Sequence, residues 1–194
     1  MDIQTGGIHS GDGFTRHSPT DPQTRWALSA EHERLRHQSI MSALPRRYYA
    51  HAFEPGCGAG ELTAQLAKTC GRVSAIDVLP DKVARARARC APWGSADIRC
   101  ADLRDHMPED PVDLMVFSEL GYYFSAPELI DIARNLVNRM TPGGEFIAAH
   151  SLNPEMDPVL HADAVHCQLL ANLPLRWVTG ERHGGLRIDR WQSS

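Results

Sequence analysis

Glu54, Gly56, Gly58 and Gly60 stand at alternate positions in the stretch Phe53-Glu54-Pro55-Gly56-Cys57-Gly58-Ala59-Gly60-Glu61. Glycines spaced this way let a backbone turn with φ > 0, and they let a ligand approach with no Cβ atoms in between. Asp77 follows 17 residues after Gly60, at the end of the apolar run Val73-Ser74-Ala75-Ile76, and Val78 comes next. An acidic side chain at the end of a second strand accepts hydrogen bonds from both hydroxyls of a ribose. Together these residues make a site for a nucleoside-containing cofactor.

Spacing and charge decide which one. A dinucleotide loop of the form G-x-G-x-x-G/A needs Gly or Ala at position 61, and 61 is Glu. A carboxylate in the first turn of the following helix repels a pyrophosphate seated there. No Gly-Lys-Ser/Thr follows, so the loop is not of the nucleoside-triphosphate type. S-adenosylmethionine (SAM) carries ribose and adenine but no phosphate, and an acidic loop suits it. Glu-x-Gly-x-Gly-x-Gly, from Glu54 to Gly60, resembles the first motif of class I SAM-dependent methyltransferases. The competing enzyme class is an NAD(P)-linked oxidoreductase, which the glycine spacing and Glu61 oppose. The competing non-enzymatic class is a SAM-binding accessory protein.

The elements that must position these residues read as follows. A strand is expected over 48–52, the glycine loop, then a helix over 62–68. A second strand follows over 73–76, a helix over 80–90 opened by Pro80 and Asp81, and a short strand over 97–101 leading to Asp102 and Leu103. The arginines at 85, 87 and 89 spread around that helix and predict a solvated face. Residues 112–117 are nearly continuously apolar, as a buried parallel strand is. A helix over 125–140 has Ser125 and Glu128 as a capping box and Leu129, Ile132, Ala133, Leu136 and Met140 on one face. Pro142-Gly143-Gly144 then turns the chain into a fifth strand over 145–150, followed by a helix over 156–171. Runs at 175–181 and 186–191, joined around His183-Gly184-Gly185, read as an antiparallel hairpin. At the other end, a helix over 30–44 is expected with Ser29 as its N-cap and Pro45 after it.

This alternation predicts an α/β, doubly wound, Rossmann-like seven-stranded and mostly parallel sheet with a C-terminal antiparallel hairpin. Residues 1–24, rich in Gly, Ser, Thr, His and Pro, are expected as a flexible N-terminal arm from which Phe14 could dock, with the domain over 25–194. At 194 residues with 42% hydrophobic and 23% charged content, the chain is long enough for one domain with a real core. No apolar run approaches the ~20 residues of a membrane span. The first residues show neither a basic n-region nor an apolar h-region, and the five cysteines (57, 70, 90, 100, 167) lack C-x-x-C pairing. These features predict reduced thiols in a cytoplasmic protein. The net charge of −4 and pI near 6.2 oppose a nucleic-acid partner.

One family is resembled in particular, over about residues 21–192: the nodulation protein S family of SAM-dependent N-methyltransferases, which methylate the freed amine of a chitooligosaccharide. The residues that carry the resemblance begin with Asp21-Pro22 and Trp26, then Glu33-Arg34-Leu35-Arg36-His37, the glycine loop and Ile76-Asp77-Val78. They continue through Ser118-Glu119-Leu120-Gly121-Tyr122-Tyr123, Met140-Thr141-Pro142-Gly143-Gly144, and a strand ending in His150. The Ser-Glu-x-x-Tyr-Tyr element is the family-specific part. Trp26 departs from the usual Asp-Pro-Trp by standing further along, and Pro55 replaces a more common aliphatic. The resemblance implies SAM as cofactor, with Glu54, Gly56, Gly58, Gly60, Asp77, Val78, Asp102, Leu103 and Ser118 around it. Asp102 would hold the adenine amino group, or else cap a backbone amide in its turn.

Methyl transfer from a sulfonium is an in-line displacement, so the protein must align a nucleophile and exclude water. An amine nucleophile must arrive neutral, which calls for a base or a desolvated pocket. Glu119 fits as base or amine anchor, and His150 is a second candidate base. Tyr122 and Tyr123 either shape the acceptor pocket or pack the loop. His161 and His166, five apart, do not share a helix face and are either substrate-side or exposed surface. No His-x-x-x-His, cysteine cluster or carboxylate triad predicts a metal. The Asn/Asp-Pro-Pro-Tyr motif of base-directed methyltransferases is missing, which argues against DNA or RNA substrates. The expected acceptor is a small molecule, an amine of an amino sugar or other glycan or natural-product intermediate, with O-methylation as the alternative.

Overall fold

The computed structural model describes residues 22–152 and 159–194. Phe14 and most of the expected arm lie outside the described residues, as do the first residues of the helix expected over 156–171. The chain divides into two units, one ending at Arg34 and one running Leu35–Ser194. Helix α1 (Pro22–Ala43) contributes to both. It begins at Pro22 rather than at 30, so Ser29 lies inside it and is not its cap. No breaker stands between Pro22 and Ser29, and proline suits a first turn because its missing N–H would be unpaired there anyway.

Leu35–Ser194 is built on a seven-stranded sheet in the order β3-β2-β1-β4-β5-β7-β6. The strands are β1 (Tyr49–Pro55), β2 (Cys70–Asp77), β3 (Ala96–Cys100), β4 (Val112–Ser118), β5 (Met140–Ser151), β6 (Arg176–His183) and β7 (Leu186–Gln192). Strands β1 to β5 pair in parallel, and the β6–β7 hairpin adds antiparallel to β5. The order therefore puts β7 between β5 and β6, as the hairpin predicts. The helices are α2 (Glu61–Leu66), α3 (Pro80–Cys90), α4 (Ala126–Val137) and α5 (Ala162–Asn172).

Several boundaries moved for local reasons. Helix α2 stops at Leu66, and tight turn bonds from Lys68 N–H to Gln65 and from Thr69 N–H to Leu66 replace the last expected turn. Helix α4 ends at Val137 because Met140 is already in register with Val112. Pro142-Gly143-Gly144 does not precede β5 but lies within it: register jumps from Val112↔Met140 to Leu114↔Glu145, and the extra residues bulge with Gly143 at φ 72. Helix α5 begins only at Ala162, since the N–H groups of Val159 and Leu160 both turn to the Tyr122 carbonyl.

Both sheet faces are covered. On one, Phe53, Met115, Phe117, Phe146, Ala148 and Trp191 pack under α4 and α5, which contribute Leu129, Leu136, Val165 and Leu169. Fully burying such side chains stabilises by about 1.5–3 kcal/mol each. On the other, Ala52, Val73, Leu114, Val116, Ile147 and Ile188 meet Ile40, Leu62 and Leu66. Helix α3 closes the β2–β3 end with Val83, Ala86 and Cys90. Its arginines do more than face solvent: Arg87 Nε donates to the Ile98 carbonyl and Arg89 Nε to that of Ala59, while Arg89 pairs with Glu61 at 2.5 Å.

Gly60 is where the glycine loop meets α3. It has φ +80, and a Cβ there would lie 2.8 Å from Ala86 Cα. Gly58 has φ +55 but open space around its missing Cβ. We expect Gly58→Ala to cost only the left-handed backbone penalty, about 1–2 kcal/mol. Gly60→Ala should cost more, because backbone must shift as well. Chemical denaturation of both variants checks this, and equal losses would mean that α3 yields freely.

Candidate active site

Strand order reverses between β1 and β4, and a crevice for ligand lies beyond the carboxyl ends of strands at such a point. The loops after β1 and β4 reach each other there. A Cβ on Gly56 would come within 3.2 Å of Leu120 Cδ1. Gly56, Gly58 and Gly60 all take positive φ, at 71, 55 and 80, so the alternation read in the sequence is used in full. The missing Cβ of Gly58 faces open space, which leaves a bare backbone surface at the mouth of the crevice.

Asp77, at the end of β2, has its carboxylate oriented by two backbone amides. Gly58 N–H donates to Oδ2 at 2.9 Å and Leu79 N–H to Oδ1 at 3.0 Å. Each oxygen keeps lone-pair capacity for a further donor. Val78 and Leu79 beside it are exposed apolar side chains, suited to the flat face of a base. Ser118, at the end of β4, has a buried Oγ with no hydrogen-bond partner among the described residues. A bare glycine surface, a preset carboxylate and an orphaned hydroxyl fit a nucleoside cofactor without phosphate.

Three other candidates take less direct positions. Glu54 is buried, and Thr63 Oγ1 donates to its Oε2 at 2.7 Å. Burial pushes its carboxyl up to about 8, against the lowering effect of Thr63. Asp102 caps its own turn, receiving Arg104 N–H at 2.9 Å, and it faces the Arg104 guanidinium at 3.3 Å. The capping bond is present, and Arg104 is held beside it by Glu128 and the Phe124 ring. The Leu103 side chain is in the core, so only its backbone can face the crevice.

Glu119 follows β4 and is the described non-glycine residue with positive φ, at 54. Its N–H still bonds the Ala149 carbonyl, continuing the ladder, but the left-handed turn swings its side chain back over β5. There Tyr122 O–H donates to Oε2 at 2.7 Å and Ser151 N–H to Oε1 at 2.6 Å. The Arg36 guanidinium stands 3.5 Å from Oε2. Burial, then Glu119, raises the Tyr122 hydroxyl well above its ordinary range, so it stays a donor. Tyr123 packs edge-on against Tyr122 at 5.0 Å and is partly exposed.

His150 is fully buried, with both ring nitrogens used inside the fold. Gly121 N–H donates to Nε2 at 3.0 Å, and Nδ1 lies 3.1 Å from His166 Nε2. Burial above all holds its pKa well below the ordinary value, so the ring is neutral. His166 is not surface: it is buried and bonds Asp189 Oδ2 at 2.6 Å. His161 is exposed and caps α5 by accepting Asp163 N–H at 3.2 Å. The sequence reading assigned no role to Arg36, Thr63, Ser151 or Asp189. Asp189 gave no signal of its own, since it alternates with Leu186 and Ile188 and so reads as an outward position beside Arg187.

A protein-family model described as Nodulation protein S (NodS) matches residues 17–167. Nodulation protein S of Sinorhizobium fredii (strain NBRC 101917 / NGR234) is 33% identical over 131 residues, which are 66% of this chain and 61% of that protein. The chain thus spans less than two thirds of that curated relative. Phosphoethanolamine N-methyltransferase of Triticum aestivum is 28% identical over 126 residues, 63% of this chain and 25% of that protein. The crystal structure of N-methyltransferase NodS from Bradyrhizobium japonicum WM9 with S-adenosyl-L-homocysteine superposes with a TM-score of 0.73. It is 25% identical and covers 83% of this chain and 87% of that one.

Two measurements check the site. Gly58→Val should fold, with a larger loss of stability than Gly58→Ala because a β-branched residue fits φ +55 poorly. It should lose SAM binding by calorimetry because its side chain fills the open surface; wild-type affinity in the folded variant would move the cofactor elsewhere. Glu54→Gln tests the buried carboxyl. Unfolded, Glu54 ionises near the ordinary 4.5, while folded it keeps its proton to about 8. Wild-type stability therefore falls as pH rises from about 4.5 to 8, and the Gln variant escapes this contribution. At about 1.4 kcal/mol per pKa unit, the variant should match wild type near pH 4 and exceed it by a few kcal/mol at pH 8. Parallel pH–stability curves would overturn the assignment.

Proposed function

The chain belongs to the nodulation protein S family, and on that premise we propose that it is a SAM-dependent methyltransferase acting on the amine of a small-molecule acceptor, such as an amino sugar. The observation that carries the reading is the Glu119–Tyr122 pair, set beside the glycine loop at the reversal of strand order. When bound, SAM supplies a methyl group on a cationic sulfur. Gly56, Gly58 and Gly60 would give it bare backbone, Asp77 would take the ribose hydroxyls, and Val78 would lie by the adenine. Ser118 Oγ offers it an unused hydroxyl, and Glu54 stands behind the loop.

The residues on the acceptor side do the remaining work. A carboxylate has about four acceptor sites. Tyr122, Ser151 and Arg36 account for three of those of Glu119, which leaves it able to anchor an ammonium group and take its proton. Tyr122 keeps its own proton and fixes the carboxylate, while Tyr123 walls the pocket. His150 serves as no base here, since its Nε2 lone pair is given to Gly121. Two of the similar proteins, N-methyltransferase NodS and phosphoethanolamine N-methyltransferase, are N-methyltransferases, which supports attack by nitrogen rather than oxygen. A cytoplasmic setting suits the five free thiols, and among the described residues no helix is long and apolar enough to cross a membrane. The net charge of −4 supports a small molecule rather than nucleic acid as acceptor.

Mass spectrometry of reactions with SAM and a panel of amino sugars, hydroxylated sugars and small amines tests this. The expected result is S-adenosylhomocysteine together with a singly methylated amine. Product only on hydroxyls would overturn the nitrogen assignment, and SAM binding without any product would indicate an accessory protein. On the amine acceptor, Glu119→Gln should lower turnover roughly 10²- to 10⁴-fold, the range for a lost general base, with SAM affinity unchanged. Full activity with a lowered melting temperature would make Glu119 a loop brace instead.

A further inference from the structure

We propose that His166 and Asp189 are positioning residues for methyl transfer, acting through His150 on the backbone of the loop that carries Glu119 and Tyr122. The proposal rests on the functional reading above. It starts from a polar chain buried under α5, on the face of β5 and β7 that otherwise holds Phe146, Ala148 and Trp191.

The protons in that chain have one arrangement. A backbone N–H can only donate, so Gly121 requires a lone pair on His150 Nε2. A neutral His150 then carries its proton on Nδ1 and donates it to His166 Nε2. His166 in turn carries its proton on Nδ1 and gives it to Asp189 Oδ2. A doubly protonated His166 would set two N–H groups against each other across 3.1 Å, so both rings are neutral. Asp189 is held in turn: Arg187 Nε donates to Oδ2 at 2.8 Å and Trp177 Nε1 to Oδ1 at 3.1 Å. Arg187 also reaches Asp163 at 2.8 Å, tying β7 back to the first turn of α5. One carboxylate on β7 thereby sets the tautomer of two imidazoles and the acceptor offered to Gly121.

Gly121 is the point of action. A Cβ there would lie 2.5 Å from Val165 Cγ1 and 3.0 Å from His150 Nε2, so only glycine brings its N–H this close to the ring. The residue sits between Glu119, at φ 54, and Tyr122, whose hydroxyl holds the Glu119 carboxylate. The Tyr122 ring also rests edge-on against His150 at 5.3 Å. If the His150 tautomer flips, its Nε2–H faces the Gly121 N–H, and the strained loop loses its anchor between the two residues that meet the acceptor.

The test uses the full chain. In wild type, ¹⁵N spectra of the imidazoles should show Nε2 unprotonated and Nδ1 protonated on both His150 and His166. A proton on His150 Nε2 overturns the proposal. Asp189→Asn should mix the tautomers and lower kcat/KM for the acceptor by ~10- to 100-fold, as loss of an orienting partner does, while the Kd for SAM stays at its wild-type value. His166→Phe should do the same. His166→Gln, whose amide oxygen can still accept from His150 Nδ1–H, should restore most of the activity. If folded Asp189→Asn and His166→Phe turn over acceptor as wild type does, the network only stabilises and the proposal fails. A wild-type protein that methylates no acceptor overturns the functional reading instead. The tautomer signals and the exchange protection of the Gly121 amide would then still decide the network.

Discussion

The turn at Glu119 is the constraint on which the acceptor side of this protein depends. A non-glycine residue at φ 54 costs on the order of 1–2 kcal/mol, and such a conformation persists only where its surroundings over-determine it. The surroundings come from several elements at once. Strand β5 supplies the Ala149 carbonyl and the Ser151 amide, the loop supplies Tyr122, and Arg36 approaches from α1. Beneath them Gly121 is held by His150. The same turn that strains the backbone brings the carboxylate to the end of β5 instead of along β4.

The two acidic side chains at the ends of β1 and β2 differ in their electrostatics. Asp77 is oriented by two backbone amides and remains open to a further donor, which suits a group meant to hold hydroxyls. Glu54, one strand away, is buried, and its carboxyl is pushed up to about 8. Toward the other edge of the sheet, Glu145 and the partly buried Arg190 form a pair at 2.7 Å between β5 and β7, so the antiparallel strand is fastened to the parallel sheet by charge on one face. The His150–His166–Asp189 chain fastens it on the other. Buried polar groups of this kind add little net stability compared with apolar packing, but they tolerate few alternative registers. The hairpin is thus placed to one residue, which its outer strand β6, largely exposed, could not achieve by packing alone.

Much of this molecule was legible in its sequence. The apolar runs at 73–76 and 112–117, the helix at 80–90, the Ser125–Glu128 box and the terminal hairpin are local patterns, and each became the expected element. The glycine loop and Asp77 were legible for the same reason: turn, strand end and carboxylate lie within one βαβ unit and answer to short-range geometry. Where local signals competed with long-range pairing, the pairing won. Pro142-Gly143-Gly144 reads as a turn, yet the β4 ladder draws it into β5 as a bulge. The chain from 159 reads as helix, yet the Tyr122 carbonyl takes two of its amides.

The sequence by itself determined the strand–helix order, the sheet that follows from it, and the cofactor class, because these depend on periodicity, glycine placement and charge within about thirty residues of each other. Only the tertiary structure decided which polar side chains meet. His150, His166 and Asp189 lie on β5, α5 and β7, and nothing in their spacing says that the three inward positions coincide. His166 read as substrate-side or exposed surface because it shares no helix face with His161, and it became core because an acid on the hairpin faces it. Of the partners of Glu119, Tyr122 is near in sequence, but Arg36 is distant and Ser151 acts through its backbone amide. Side-chain hydrogen bonding across elements is fixed by sheet register and helix rotation, and those angles exist only once the whole core has packed.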